Sequence, residues 1–288
     1  MSTQMVLFDA PGPRTRRRHQ LYGVAGAVVV FGLLAWVLVV LWSNQQITPE
    51  RWEPLVGEEL WSQYLLPGLG ATLAAAGVSI VLAFLLGLVL AMARLSELRW
   101  LRWVTAVVVE FFRAVPVLIM MLFMFRLLQV AFGITGEPQA FLGVVIGLTA
   151  YNAAVIAEVI RSGIEGLPQG QREAGYSIGL SSLQVRSTIL LPQALTAMMP
   201  ALVSQLVVVL KDTALGAIIL YPELLNSVMQ SATRFGNVTV AFLVGAALFI
   251  LVNWLVSVLA HRIERRLRTR RVSAGQVAEP DEVTADAI

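Results

Sequence analysis

The chain alternates between long apolar runs and shorter polar segments over most of its length. Six runs are long enough to cross a bilayer as helices, which takes about 20 residues. They are residues 21–42, 67–93, 104–130, 139–160, 197–220 and 238–260. The first run is too long for a signal-peptide core and is followed by no small-x-small cleavage site, so it is expected to stay as a membrane anchor. The pattern predicts an all-α polytopic membrane protein with six transmembrane helices.

The polar segments near the two termini have different compositions. Residues 1–20 form a Pro- and Arg-rich amino-terminal tail, and residues 261–288 begin with six Arg and then become acidic. Segments of this kind bury too little apolar surface to fold, so disorder is predicted up to about Arg16–Arg18 and over most of residues 261–288. Residues 43–66 contain two Trp and one Tyr, whose amphipathic rings are enriched at membrane–water interfaces.

Residues 162–196 are too polar to cross a membrane and contain two helix signals. Pro168 marks a turn, after which Gln171–Ile178 is predicted to form a short helix. Glu173 is expected in its first turn, where the helix dipole favours a carboxylate. Gly179 suits the position just beyond the helix end, where a left-handed conformation is common.

A second helix is predicted directly after this stop. Ser181 or Ser182 can cap its start, and Pro192 is expected to end or kink it. A short helix held by turns between two spans forms a rigid projection on the membrane surface. Such a projection is suited to receive force from another protein.

Composition limits the chemistry of the chain. Apolar residues make up 57% and charged residues 14%, which is too apolar for an ordinary soluble domain. The sequence has no cysteine, which excludes disulfides and thiolate metal sites. Its single Lys, Lys211, is followed by Asp212, so no phosphate-binding Gly-Lys-Ser/Thr loop exists. The spans contain no Ser/His pair and no H-E-x-x-H motif, and neither a catalytic residue nor a metal ligand is predicted.

The distribution of basic residues predicts the orientation. Sixteen of the 21 Lys and Arg residues lie in segments on one predicted side, only Arg51 and Arg234 lie on the other, and three lie within predicted spans. Because positively charged loops tend to stay in the cytoplasm, both termini and residues 162–196 are expected to be cytoplasmic. Residues 43–66 are then extracellular.

The second span has a small residue at every fourth position. These residues share one helix face and are Ala71, Ala75, Ser79, Ala83, Gly87 and Ala91. In lipid, such a face lets two helix backbones approach closely. The pattern fits packing inside one subunit as well as a contact between subunits.

Charged residues within spans need a partner, a wet cavity or a function, because each costs about 2.5–3.5 kcal/mol on insertion scales. Glu110 and Arg113 are three residues apart and can pair along one helix face, which favours a structural role. Arg126 lies near the outer end of its span and either extends to the lipid headgroups or attracts an anionic substrate.

Lys211 and Asp212 are adjacent in the fifth span. Their side chains diverge by about 100° on a helix, so they cannot simply pair with each other. We expect Lys211 to face the interior, to line a path or to contact another subunit. Glu158 and Arg161 close the fourth span, where they are expected to brace the following loop.

Several motifs resemble those of a known family. Arg172-Glu173-Ala174-Gly175, Gly179 and Ile189-Leu190-Leu191-Pro192 are similar to the EAA loop of permease subunits of bacterial ABC importers. Phe111-Phe112-Arg113-Ala114-Val115-Pro116 resembles the FFRGTP signature of polar amino-acid permeases. Lys211-Asp212-Thr213-Ala214-Leu215 resembles their KDTSL motif. The chain departs from the family pattern in carrying Gly175 for the second Ala of the loop.

The resemblance implies a type I ABC importer permease fold, with residues 67–260 as a five-helix core and residues 21–42 as an added amino-terminal span. It implies that the EAA loop, residues 162–196, couples the pore to a cytoplasmic ABC ATPase dimer. The ATPase would bind ATP and Mg²⁺, while this chain binds no cofactor and catalyses no reaction. The implied coupling residues are Gln171, Arg172, Glu173, Ala174, Gly175, Ile178, Gly179, Leu180 and Pro192.

The other implied partners are a second permease subunit, either a copy or a relative, and an extracellular solute-binding protein. The lipid bilayer surrounds the chain, the bacterial cytoplasmic membrane is the implied location, and no nucleic acid is expected.

The implied substrate class is polar amino acids. Residues 6–13 resemble the start of actinobacterial glutamate-uptake permeases, and the spans contain several cations, so glutamate is the first choice. Glutamine or another polar amino acid is the alternative. A stand-alone secondary transporter or channel and a non-transporting scaffold are the alternatives from other classes. Candidate residues of the substrate path are Glu110, Arg113, Arg126, Lys211, Asp212 and Thr213.

Overall fold

The computed structural model describes residues 12–275 of the 288-residue chain, without the side chains of Pro13, His261 and residues 263–275. The described part contains helices, turns and no strand. The α-helices are α1 (Pro13–Ser43), α2 (Pro49–Trp52), α3 (Leu66–Arg94), α4 (Arg99–Ala114), α5 (Val117–Phe132), α6 (Glu137–Glu165), α7 (Gln169–Ser177), α8 (Ser182–Gln184), α9 (Leu191–Ala197), α10 (Met199–Asp212), α11 (Leu224–Phe235) and α12 (Val238–Gly275). Short 3₁₀ segments occupy Glu53–Val56 and Thr213–Ile219, and π segments occupy Leu60–Leu65 and Val185–Leu190.

Five helical segments of the described chain are long and apolar enough to cross a membrane. They are Arg14–Ser43, Leu60–Arg94, Glu137–Glu165, Met199–Ile219 and Val238–Ala260. The pair α4 and α5 supplies a sixth crossing if the two helices are taken as one broken span. The predicted all-α fold with six apolar crossings is confirmed on that count.

The third predicted span, residues 104–130, is not one straight helix. α4 and α5 meet at an angle of 100°, and Val115 and Pro116 between them have ψ values of 127° and 132°, outside the helical region. Pro116 disfavours a helical conformation at the residue before it. α4 packs on the ends of α3 and α6, whereas α5 packs along α6. The predicted span over residues 104–130 therefore corresponds to two helices, α4 and α5, that are separated by a break at Val115 and Pro116.

The segments next to the termini are more helical than predicted. α1 begins at Pro13, where proline is favourable in a first helical turn. α12 continues to Gly275, so the predicted disorder of residues 261–288 is wrong up to that residue, since Arg and Leu favour a helix. The predictions for residues 1–11 and 276–288 lie outside the described part of the chain.

α3 and α6 form the centre of the bundle. The small residues of α3 at positions 75, 79, 83, 87 and 91 are all buried, and α6 is the helix that packs most extensively on α3. Close approach of two backbones through small residues is the usual packing mode of helices in lipid. The small-residue face of α3 is therefore used inside this subunit.

The core has two distinct ends. The loop end comprises residues 91–114 and 158–198, and its apolar cluster joins α3, α4, α6 and the loop helices. The α11 end comprises residues 44–72 and 219–241, and its cluster joins the π segment before α3 to α11 and α12. A third cluster lies between them. α1 stands outside these clusters and is exposed along nearly its whole length.

Candidate functional site

α7 is an exposed helix at the loop end, and Gly175 is its only buried residue. The apolar side chains of Tyr176, Ile178 and Leu183 are also exposed, Ile178 by 74%. α7 begins at Gln169, two residues before the predicted start, so Glu173 lies beyond the first turn, contrary to the prediction. Exposed apolar side chains set among polar ones are typical of protein interaction surfaces.

A Schellman motif fixes the end of α7. The N–H of Leu180 donates to the carbonyl of Gly175 at 3.2 Å, and the N–H of Gly179 donates to the carbonyl of Tyr176 at 2.9 Å. Gly179 has a φ of +82°, which side chains with a Cβ rarely permit. The predicted stop at Gly179 is confirmed.

Gly175 holds α7 close to the π segment that follows. A Cβ at this position would lie 2.8 Å from Cγ2 of Val185 and 3.0 Å from Cδ1 of Ile189. These distances are shorter than ordinary van der Waals contacts, so a larger residue would force α7 away. The glycine that replaces the second Ala of the EAA pattern therefore permits a closer contact.

Ser181 begins the second helix of the loop with a capping box. The N–H of Gln184 donates to Oγ of Ser181 at 3.4 Å, and the N–H of Ser181 donates to Oε1 of Gln184 at 2.8 Å. The cap predicted at Ser181 or Ser182 is thus at Ser181. Pro192 does not end the helix, because α9 continues to Ala197. The π segment before Pro192 has a wider bonding pattern, which suits a residue that lacks an N–H.

The loop is attached to the core by apolar and polar contacts. Leu180 and Ile189 pack against the buried cluster of the loop end. Nε2 of Gln193 donates to Oε1 of Gln171 at 3.1 Å and so joins α9 to α7. A displacement of α7 would therefore also move the ends of α6 and α10 that are predicted to face the cytoplasm.

Arg186 provides a second attachment, which sequence reasoning missed. Its guanidinium donates to the carbonyl of Leu95 in the turn between α3 and α4. The same turn accepts a bond from Arg102 at the carbonyl of Ser96, at 3.4 Å. The turn is thus held by the loop on one side and by α4 on the other. Neither bond could be read from the sequence, because both acceptors are backbone atoms.

Ion pairs join α3, α4 and α6 at the loop end. Arg94 lies 3.5 Å from Glu110 of α4 and 3.5 Å from Glu158 of α6. Arg161 lies 2.5 Å from both Glu158 and Glu165. Glu158 and Arg161 are therefore paired within α6 and, through Arg94, Glu158 is joined to α3; that they brace the loop stays a prediction. Arg94 was not singled out from the sequence, although it ends an apolar span next to a turn.

Glu110 and Arg113 form the predicted pair, with 3.2 Å between them. They lie on α4, however, and not in the middle of a straight span. Glu110 is 59% exposed at its side chain and also contacts Arg94. The structure therefore groups these two path candidates with the charges of the loop end.

The remaining path candidates lie elsewhere. Lys211 is exposed and Asp212 half-buried at the end of α10, and no ion pair joins them within the described residues. Thr213 is buried, and its Oγ1 donates to the carbonyl of Leu210 at 2.6 Å. Arg126 is exposed on α5 and donates to Gln129. Lys211 is thus exposed on the surface of this chain.

An apolar groove of about 370 Å³ lies between α3, α6 and α10. Its one polar side chain, Gln205, donates through Nε2 to Oδ1 of Asn152 at 2.6 Å. This lining does not match a charged substrate. Among residues 12–275, no three His, Asp or Glu side chains lie close enough together to hold a metal ion.

Glu223 is a buried carboxylate at the α11 end, which sequence reasoning missed. It caps α11 by accepting from the N–H of Leu225 at 2.9 Å and of Asn226 at 2.7 Å. The residue is 0% exposed, and this burial raises its pKa to about 7, against the lowering effect of the two N–H donors. The position of Glu223 directly before the helical pattern of α11 could have indicated this cap from the sequence.

α11 is also bonded to α3. The N–H of Leu224 donates to Oγ1 of Thr72 at 3.0 Å, and the hydroxyl of Tyr221 donates to the carbonyl of Ala71 at 2.9 Å. Asn237 donates to the carbonyl of Arg51 at 3.1 Å and joins the segment before α3 to this end. α11 is therefore held from several directions.

Comparison with known proteins agrees with these features. Residues 83–269 match the model of a family described as binding-protein-dependent transport system inner membrane component. The chain is 45% identical over 243 residues to the glutamate transport system permease protein GluD of Corynebacterium glutamicum, covering 84% of this chain and 89% of that protein. It is 36% identical over 210 residues to the probable glutamine ABC transporter permease protein GlnP of Bacillus subtilis, covering 72% and 93%.

Solved structures share the fold. A crystal structure of an amino acid ABC transporter with histidines matches with a TM-score of 0.64 and 26% identity, covering 72% of this chain and 95% of the other. An inward-facing MetNI methionine ABC transporter matches in fold with a TM-score of 0.60 and 23% identity, covering 73% and 99%. The expected type I importer permease fold is confirmed. The chain belongs to the binding-protein-dependent transport system inner membrane components, the permease subunits of ABC importers.

Proposed function

We propose that this permease forms half of the pore of an ATP-driven importer of polar amino acids and that its substrate is glutamate. The observation that carries the proposal is α7, an exposed helix with a fixed end that rests on the core through Gly175. A rigid helix in this position can transmit the movement of an ATPase to the spans. The chain itself would transmit movement through α7 and present polar and charged groups to the substrate.

The coupling surface would consist of α7 and the turn after it. Gln171, Arg172, Glu173, Ala174 and Ile178 would contact the ATPase, since all five are exposed. Gly175, Gly179, Leu180 and Pro192 would set the position of α7 against the core. Movement of α7 would then displace α6 through the apolar cluster and the turn before α4 through Arg186.

The proposed orientation places the loop end and both termini in the cytoplasm. Its support is the excess of Arg in the segments on that side. The partners would be a cytoplasmic ABC ATPase dimer that binds ATP and Mg²⁺, a second permease subunit and an extracellular solute-binding protein. In this orientation, the α11 end faces the solute-binding protein.

Glutamate is proposed from two observations. The relative from Corynebacterium glutamicum, which is named as a glutamate permease, is 45% identical over most of both chains. Lys211 and Arg126 are exposed cations on the spans, outside the ion pairs of the loop end. A cation on the path would attract a substrate with net negative charge. Glutamine, named for another relative, is the alternative substrate.

Within the path, we assign Lys211, Asp212 and Arg126 to the pore or to the contact with the second permease, whereas Thr213 is buried inside this chain. We assign Glu110 and Arg113 to bracing, because they pair with each other and with Arg94. Lys211 is exposed at the end of α10, and no described residue forms an ion pair with it. A contact outside this chain would explain the position of its ammonium group.

Uptake by cells that express the complete transporter tests this proposal. Glutamate uptake should persist after addition of a protonophore and should stop when ATP is depleted. Excess unlabelled glutamate should compete more strongly than glutamine, histidine or alanine. Uptake that stops with the protonophore while ATP is maintained would instead indicate a secondary transporter, and stronger competition by glutamine would assign that substrate.

Lys211 gives the sharpest test of the path. Lys211→Met should abolish uptake, and Lys211→Arg should impair it, since a planar guanidinium differs in shape from an ammonium. Arg16→Gln removes one cation from an exposed position of α1 and serves as the matched control. Wild-type uptake by both Lys211 variants at equal protein level would exclude a role on the path.

A further inference from the structure

α4 has three faces with different surroundings. One face is buried, with Thr105 and Val109 against α3 and α6. A second face carries the charged residues Arg99, Arg102, Glu110 and Arg113. The third exposes the apolar residues Trp100, Trp103, Val104, Val107, Val108 and Phe111. A helix with adjoining charged and apolar exposed faces is suited to lie in the membrane interface. The 100° bend to α5 agrees with that position.

The first turns of α4 form a shallow surface cavity that is widely open to its surroundings. It is lined by Arg99, Trp100, Arg102, Trp103 and Ala106. The two indole rings are 66% and 69% exposed, although large aromatic side chains are usually buried in proteins. Trp side chains are enriched at the level of the lipid headgroups. We call these five residues the α4 cavity.

The cationic charge of the α4 cavity is not compensated within the described chain. Arg99 and Arg102 form no ion pair there, whereas Arg94, Arg113 and Arg161 at the same end all do. Arg102 donates only to a backbone carbonyl, at 3.4 Å. The first turn of α4 contains no acidic residue, and the dipole of the helix opposes positive charge at that position. An anion bound from outside would stabilise this arrangement.

We propose that the α4 cavity binds the headgroup phosphate of an anionic phospholipid in the leaflet at the loop end. The guanidinium groups of Arg99 and Arg102 match the geometry of phosphate oxygens. Trp100 and Trp103 pack on the glycerol region, and the exposed apolar face of α4 continues into the acyl chains. A lipid can contact both the two arginines and the adjoining apolar face of α4, whereas a soluble phosphate compound can contact only the arginines.

Tryptophan fluorescence provides a local test on the full chain. The sequence has seven Trp, and replacing all except Trp100 and Trp103 by Phe restricts the signal to the α4 cavity. The protein is reconstituted in phosphatidylcholine nanodiscs with increasing fractions of phosphatidylglycerol that carries brominated acyl chains. Half-maximal quenching should occur at about a fivefold lower fraction than with equally brominated phosphatidylcholine. Native mass spectrometry of the unsubstituted chain should show preferential retention of phosphatidylglycerol.

Two double variants separate this site from general surface charge. Arg99→Gln with Arg102→Gln should remove the preference for phosphatidylglycerol and keep the quenching by brominated phosphatidylcholine. Arg16→Gln with Arg17→Gln removes equal charge from exposed positions of α1 and should keep the preference.

Three results would overturn the proposal. Equal quenching by both lipids would exclude anion selectivity. A preference that survives the Arg99/Arg102 double variant would place the selectivity elsewhere. Loss of the preference in millimolar inorganic phosphate would assign the cavity to soluble phosphate.

Discussion

The loop end and the α11 end are stabilised by different means. At the loop end, α7 is exposed and the helix ends are joined by side-chain ion pairs, several of them in contact with solvent. At the α11 end, the polar residues Glu223, Ser227 and Ser231 are buried. Glu223 and Thr72 there accept hydrogen bonds from the backbone of α11.

The difference fits two mechanical functions. An exposed ion pair contributes about 0–1 kcal/mol and can be exchanged for water or another partner at low cost. A buried backbone N–H without an acceptor costs about 1–3 kcal/mol. The loop end can therefore rearrange when a partner moves, whereas α11 is held in one position. Proteins commonly place their moving elements in regions of low local stability.

The largest effect is expected from Gly175→Leu. The new side chain would clash with Val185 and Ile189 and displace α7, so ATP-dependent uptake should fall by more than about tenfold. Gly170→Ala on the same helix meets no atom within 4 Å and should retain uptake. The measurement is uptake at matched levels of membrane-inserted protein. Equal uptake by both variants would show that the position of α7 is not critical.

The α11 end should respond to pH through Glu223. Its pKa is about 7 in the folded chain, above the ordinary value of 4.5, so the folded state favours the protonated form. This stabilisation is complete below pH 4.5 and is lost as the pH rises through about 7. We expect a loss on the order of 3 kcal/mol across this window, seen as a falling melting temperature.

Glu223→Gln keeps an acceptor for α11 and does not titrate. It should flatten the pH dependence and raise the melting temperature above pH 7. Glu59→Gln, which changes an exposed carboxylate, should leave the dependence intact. An unchanged slope in Glu223→Gln would mean that another group controls it.

Thr72→Val should destabilise the α11 end by less than the pH-dependent loss at Glu223 and by more than Arg94→Gln destabilises the loop end. Valine has nearly the same shape but leaves the N–H of Leu224 without its acceptor, which costs about 1–3 kcal/mol. Thr233→Val removes an exposed hydroxyl on α11 and should cost less than about 0.5 kcal/mol. Chemical unfolding in detergent compares the two. Similar losses would argue against a special role for the buried bond.

Arg94→Gln should have the smallest effect on stability. The Arg94 side chain is only 14% exposed, but Glu110 is 59% exposed and Glu158 keeps its pair with Arg161, so the loss should be about 1 kcal/mol. It should shrink further at high salt because exposed charges are screened. A loss larger than that of Thr72→Val, measured by the same unfolding assay, would reverse the comparison between the two ends.

Local features were predictable from the sequence. The apolar runs indicated the spans because the insertion of a segment into a bilayer depends on its own length and apolar composition. Gly179 and Ser181 indicated the end of α7 and the start of the next helix, since both act through their own backbone and nearest neighbours. Glu110 and Arg113 could be paired because their spacing places them on one helix face.

Features that depend on tertiary packing were not predictable. Pro116 disfavours a continuous helix over residues 104–130, but the 100° angle between α4 and α5 depends on how α4 packs on α3 and α6. Arg94 ends one helix, and the sequence does not indicate that it reaches two others. Leu224, the residue after Glu223, donates to Thr72 of α3, which lies far away in the sequence. In each case, the partner is distant along the chain.

Cysteine labelling tests most directly whether the two ends face opposite sides of the membrane as proposed. The chain has no native cysteine, and Val56 and Ile178 are 91% and 74% exposed at the α11 end and loop end. In intact cells, a membrane-impermeant maleimide should label Val56→Cys and should label Ile178→Cys only after permeabilisation. Labelling of Ile178→Cys in intact cells, with Val56→Cys protected, would contradict the orientation and the coupling function of α7.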